Sequence, residues 1–240
     1  MFKPGKWKKA AAALLAAALC VGLTACGAFG GGKNYDAVKK AQEGVGELES
    51  GRIIVTSKHA KDAKSESVVT EFVFRTTAGG TSEYCQTQFD QNNKAVYCEY
   101  SDGEKSEQWL IGNGWSVIDP TVYTKENPHR YLRLLASPFD KKLVSKIETE
   151  QEGENMLYTL TLKPDRVNEN LYPEANVEIK EERVSILVNA EGKLIAYGDV
   201  SQVYDKEAGE DCEYTLDMQL SDLNAVTEIK KPELRDYAKK

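Results

Sequence analysis

The chain has 240 residues, with 31 basic and 38 acidic side chains and a net charge of −7. That balance argues against nucleic acid as a partner, and an acidic face is also repelled by anionic headgroups. The length fits one large domain or two small ones, and an apolar content of 41% is enough for a real core.

Lys3, Lys6, Lys8 and Lys9 make a positive start, and Ala10 to Leu23 follow as an apolar run without charge. This is the order of a secretory leader, and the run is too short to span a bilayer comfortably as a helix. It closes on Leu23-Thr24-Ala25-Cys26. The ending resembles the bacterial lipobox, in which a small residue precedes a cysteine that becomes the lipidated first residue of the mature protein. The resemblance implies that residues 1–25 are a lipoprotein signal peptide and that Cys26 is a lipid anchor. The rest of the chain is then extracytoplasmic and held at the cell membrane. Loss of the leader removes four lysines and no acids, so the net charge becomes −7 − 4 = −11. Membrane contact is then expected from acyl chains and not from a polybasic patch. Cys20 leaves with the leader, and Cys85, Cys98 and Cys212 remain beside the anchor, so at most one pair forms within the chain.

Gly27 to Gly32 is flexible by composition, and residues 26–33 read as a lipidated tether with a typical reach of roughly 15 Å. From Asn34 the apolar residues Val38, Ala41, Val45 and Leu48 recur at helical spacing, with Asn34 as N-cap and Gly51 as stop. Residues 52–57 and 68–75 are rich in β-branched and aromatic residues and read as strands, with the polar stretch 58–67 as their connection. Residues 81–89 and 94–100 flank Asp90-Gln91-Asn92-Asn93. If that turn centres on Gln91-Asn92, Phe89 faces Lys94, Thr87 faces Val96, and Cys85 faces Cys98 as a candidate disulfide. Asp102-Gly103 and Asn113-Gly114 are hairpin signals bracketing residues 108–111, before a strand at 115–118.

Asn127-Pro128 then starts a helix carrying Tyr131, Leu132 and Leu135, and Ser137-Pro138 repeats the signal for a second over 139–144. Strand character returns at 156–163, pauses from Pro164 to Pro173, and resumes at 184–189, 193–204 and 212–220. About ten antiparallel strands with a few helices predict an α+β fold, a strongly curved sheet wrapped on those helices.

This order, the leader, and the late Leu220-Ser221-Asp222-Leu223-Asn224 followed by Ile229-Lys230-Lys231-Pro232 resemble the LolA and LppX-like half-barrel lipoproteins. The resemblance covers residues 34–232 as a single domain, leaving 233–240 as a charged tail. It implies that a lipid or acyl chain is held between the concave sheet and the helices. The classical Gram-negative carrier of this group is a soluble periplasmic protein, whereas a lipidated Cys26 keeps this chain tethered.

The aromatic residues Phe72, Phe74, Tyr97, Tyr100, Trp109, Trp115, Tyr131 and Phe139 have two readings, ordinary core or cavity lining. On the second, Phe72, Phe74, Tyr97, Tyr100, Trp109, Trp115, Leu132, Leu135 and Phe139 are the candidate ligand-lining set. His59 and His129 lack a partner histidine at ligand spacing, and Cys85 and Cys98 lack CxxC spacing, so no metal site is expected. The acidic stretch Asp205, Glu207, Glu210, Asp211 and Glu213 lacks the ligand pattern of an EF-hand loop and reads as a solvated connection. No G-x-S-x-G elbow occurs, and Gly112-Asn113-Gly114 precedes a strand and not a helix. The expectation is a binding protein without cofactor or catalytic residues, taking a hydrophobic ligand. The alternative is an interaction module that regulates an envelope or cell-wall partner.

Overall fold

The computed structural model describes residues 31–61, 64–118, 130–170 and 176–234. The expected leader, Cys26, most of the expected tether, His129, the Asn127-Pro128 start signal and the last six residues of the expected tail lie outside the described residues. Among the described residues, three helices, α1 (Gly31–Val45), α2 (Arg130–Ala136) and α3 (Pro164–Asn170), accompany eleven strands. These are β1 (Ser50–Lys61), β2 (Lys64–Thr76), β3 (Ser82–Phe89), β4 (Ala95–Ser101), β5 (Ser106–Leu110), β6 (Gly114–Val117), β7 (Val144–Glu152), β8 (Asn155–Leu162), β9 (Val177–Val188), β10 (Leu194–Asp205) and β11 (Glu210–Ser221).

All eleven strands form one antiparallel sheet, in the order β6-β5-β4-β3-β2-β1-β11-β10-β9-β8-β7. From β1 to β6 the chain pairs each strand with the last and walks to one edge. After α2 it starts again at the opposite edge and walks back from β7 to β11, which closes on β1. Sequential strands are therefore neighbours except at the one long crossover from β6 to β7, the arrangement short connections favour. The sheet stays open between β6 and β7, the α+β half-barrel that the strand order predicted.

One face of this sheet carries the main core. Val38, Ala41 and Val45 line one side of α1 and pack with Tyr131 and Leu135 of α2 and Val167 of α3. Beneath them lie Ile53, Phe72, Leu160, Val184, Ile186 and Met218 from five different strands. Alternation in each strand sends these side chains inward, which makes this the inner face.

Several boundaries differ from expectation. Helix α1 begins at Gly31 and ends at Val45, so neither Asn34 nor Gly51 bounds it. Gly51 lies in β1 under the Phe74 ring, where a Cβ would come within 3.0 Å of the ring edge. The polar stretch 58–67 is strand up to Lys61 and again from Lys64, because β1 is held by ladders on both sides, to β2 and to β11. The second helix, expected over 139–144, is absent. Asp140 opens a turn whose Oδ1 accepts the Lys142 amide, and Val144 already begins β7. Conversely, the stretch after Pro164 is the short helix α3. It is anchored by Val167 and by Asn168, whose side chain both donates to the Ile179 carbonyl and accepts its amide, each at 2.9 Å.

The β3–β4 register is also corrected. Cys85 stands opposite Tyr100, and Thr87 opposite Cys98. The loop is longer than a two-residue turn: the Asp90 amide donates to the Lys94 carbonyl at 2.9 Å, and Asn93 takes a φ of 60°. A further irregularity at Gln88/Phe89 completes a shift of two residues. Asn tolerates the left-handed conformation, and this makes the longer turn possible.

Candidate functional site

The register sorts the candidate lining residues onto two faces. Phe72 pairs with Gln86, which pairs with Glu99, so Phe72, Phe74 and Tyr97 share the inner face. Tyr100 stands opposite Cys85, and Trp109 opposite both Cys98 and Trp115, so these three aromatics lie on the outer face. They cannot line the same concave surface as Phe72.

On the inner face the packing is tight. Phe72 and Phe74 stack with centroids 5.7 Å apart, and Phe72 meets Tyr84 and Tyr131 at 6.1 Å each. Phe72 and Leu135 are both 0% exposed, and Leu132 and Phe139 pack against the same cluster. These side chains fill the layer between sheet and helices. At the margin of the cluster Glu99 is buried and accepts the Tyr84 hydroxyl at 2.6 Å and the Tyr97 hydroxyl at 2.9 Å. Burial and the Glu99 carboxylate push the Tyr97 phenol upward, so it stays a donor.

Open space occurs at the rim of the helical layer. Between the end of α2, the 137–143 turn and the start of α3 lies an open groove of about 850 Å³. Leu134, Pro138, Phe139 and Leu143 supply apolar walls, and Lys142, Lys163 and Arg166 stand around them with Asp140. Phe139 is the member of the expected lining set that borders this groove. The Tyr35 hydroxyl of α1 donates to the Phe139 carbonyl, and Gln42, fully buried, donates to the Ser137 carbonyl at 3.1 Å. Helix α1 is thus stitched to the groove wall near both of its ends.

Two inner-face carboxyl groups carry perturbed acidities. Burial, with the nearby Asp199 adding to it, raises Glu182 to about 7, and its Oε2 has no hydrogen-bond partner. Burial raises Asp199 to about 6, partly offset by its hydrogen bond from Ser201.

The outer face holds a second, smaller cluster. Ala95, Cys98 and Trp109 are buried there, with Cys85, Phe89, Trp115 and Leu234 packed against them. Leu234 comes from the C-terminal segment, which leaves β11 and runs across the outer face. The Val226 amide donates to the Ser50 hydroxyl at 3.2 Å, the Thr227 carbonyl accepts from Arg75, and Lys231 bridges to Glu107 at 3.0 Å while its Nζ lies 4.2 Å above the Trp115 ring. This strap was not foreseen. Its sequence signal was a single hydrophobe, Leu234, among charges. Cys85 and Cys98 are thiols with Sγ atoms 3.7 Å apart, and Cys212 is a buried thiol on the inner face, opposite Val203. His59 stacks on Tyr214, with centroids 4.5 Å apart.

Fold and site together define an open antiparallel half-barrel with a filled inner layer and an apolar, cation-edged groove at its rim. The chain matches no family profile and no curated protein. Among solved structures it is similar to LprF from Mycobacterium bovis, with 12% identity and a TM-score of 0.47 over 83% of this chain and 97% of that one. It is also similar to the lipoprotein LppX of Mycobacterium tuberculosis, with 13% identity and a TM-score of 0.46 over 82% of this chain and 98% of that one. The MucA/MucB complex of Pseudomonas aeruginosa matches at 11% identity and a TM-score of 0.32, over 78% of this chain and 57% of that one. No residue role is carried across at these identities.

Proposed function

We propose that this chain is an extracytoplasmic lipoprotein, anchored by a lipidated Cys26, that binds an acyl-chain amphiphile and performs no catalysis. The observation that carries the reading is the groove beside Phe139. Its volume of about 850 Å³ lies in the range of ligand sites, and its walls are apolar with a few charged groups at the edge. An acyl chain laid on Leu134, Pro138, Phe139 and Leu143 recovers about 25 cal/mol per Å² of apolar surface removed from water. Helix α1, which starts at Gly31, lies against the same region, its Tyr35 bonded to Phe139. The half-barrel then has its ligand at the rim of the helical layer, beside Phe139, and not beneath it, where Phe72, Phe74 and Leu135 fill the space.

The test is native mass spectrometry of the chain purified without detergent. Co-purified lipid that is lost on Phe139→Asp supports the reading, and a ligand-free spectrum together with no uptake of added lipid removes it.

A second reading has its own observation. Leu110, Ile111 and Val117 are exposed on the β5–β6 hairpin at one edge of the sheet, the kind of surface an envelope-protein partner covers. Loss of an in-cell cross-linked partner on Val117→Asp, with lipid content unchanged, would favour it.

A further inference from the structure

We propose that Cys85 and Cys98 form a thiol–disulfide exchange site on the outer face, with Cys85 as the attacking sulfur and Cys98 as the resolving one. The two Sγ atoms lie 3.7 Å apart, on the same face of adjacent strands. Their environments differ in the way exchange requires. Cys98 is 0% exposed, under Trp109 and beside Leu234 of the strap, whereas Cys85 is partly open to solvent. The Cys98 thiol is hydrogen-bonded to the Cys85 sulfur, and the Thr87 hydroxyl, 3.8 Å from Cys85, donates to the Cys98 sulfur at 3.5 Å. The hydrogen bond from Cys98 favours a thiolate at Cys85, whose acidity is increased, while the same pairing and burial hold the proton on Cys98.

The corrected register decides what kind of disulfide results. Cys85 stands opposite Tyr100 and Cys98 opposite Thr87, so the two cysteines are diagonal neighbours. Diagonal positions in an antiparallel pair are about 7–8 Å apart, beyond the usual Cα separation of about 4.4–6.8 Å in disulfides. A bond formed there is strained, and strained disulfides are the easily reduced ones. The site is therefore reversible, unlike the directly opposed structural bridge expected from the sequence.

The exchange balances with a disulfide of a donor as oxidant. The Cys85 thiolate attacks one donor sulfur, the donor S–S bond breaks, and one donor thiolate leaves. Cys98 then gives up its proton and attacks the Cys85 sulfur, forming the Cys85–Cys98 bond and releasing the second donor thiolate. The chain loses two protons and two electrons, and the donor becomes two thiols. Supply of such a donor in the cell rests on the extracytoplasmic reading above, but the exchange itself does not, so the purified chain tests it separately.

The purified full chain is equilibrated with glutathione disulfide, quenched in acid, alkylated and mapped without reductant. The expected product is a linked Cys85–Cys98 peptide, reversed by reduced glutathione without unfolding, with Cys212 alkylated only after denaturation. Cys98→Ser is expected to stop at a stable glutathione adduct on Cys85, and folded Cys85→Ser to take none. Two unmodified thiols in the wild-type chain after equilibration, or an adduct on Cys98 in folded Cys85→Ser, would overturn the assignment.

Discussion

Glu182 of β9 stands opposite Ser201 of β10 on the inner face, with one carboxyl oxygen buried and unpartnered, and Asp199 is two residues along β10 on the same side. Both carboxyls are raised, Glu182 to about 7 and Asp199 to about 6. An acid whose folded value exceeds its unfolded one binds more protons when folded, so its contribution favours the fold at low pH. For Glu182 that contribution is fully present below 4.5 and is lost as pH rises through about 7. At 1.36 kcal/mol per pH unit the loss is on the order of 3 kcal/mol. Denaturant melts are expected to show lower stability at pH 8 than at pH 5.5, and Glu182→Gln to remove much of the difference. A flat profile, or a Gln variant that keeps the slope, would show that water or another group satisfies this carboxylate.

Leu135 and Leu134 are neighbours in α2 with opposite environments, one 0% and the other 41% exposed. Leu135→Ala leaves a hole between the helices and the sheet and is expected to cost about 2–5 kcal/mol. Leu134→Ala is expected to stay within about 0.5 kcal/mol while weakening ligand uptake. Equal destabilisation by the two would mean that α2 does not present these faces.

The C-terminal strap makes a third claim. Leu234→Asp puts a carboxylate against the Ala95, Cys98 and Trp109 cluster. It is expected to destabilise the fold by about 1–3 kcal/mol and to speed alkylation of Cys98. Unchanged stability and unchanged alkylation would place the strap off the outer face in solution.

Cys26 is expected to carry two acyl chains, because one chain holds a protein at a bilayer only marginally. Cys26→Ser should move the chain from the membrane fraction to the soluble extracytoplasmic fraction. Retention in the membrane fraction after that change would contradict the anchor.

The sequence resolved the elements whose signals are local. Val38, Ala41 and Val45 marked α1, β-branched and aromatic runs marked most strands, and the turn glycines at 103 and 114 marked two hairpins, each with a positive φ. It concealed those held by neighbours. Strand β7 has only Val144 and Ile147 as apolar residues because it is an exposed edge, so no alternation could reveal it. The stretch 58–61 is polar yet extended because ladders on both sides fix it. A two-residue slip at Asn93 and Gln88 separated the cysteines from direct opposition but kept them on one face, since a shift of two preserves the alternation. The lining set mixed two faces because the order of strands in space, and not their composition, decides which aromatics meet. The groove was invisible for the same reason: it joins Phe139 to Lys163 and Arg166, brought together by α3, a helix hidden in a stretch that reads as a connection.

The central claim is tested most directly by titrating a fluorescent acyl probe into the mature Cys26→Ser chain and its Phe139→Asp variant, each checked for folding by its melting curve. Saturable binding by the first, weakened at least tenfold by the carboxylate at position 139, is the predicted result, a difference of about 1.4 kcal/mol or more. No saturable binding, or equal binding by a folded Phe139→Asp chain, would contradict it.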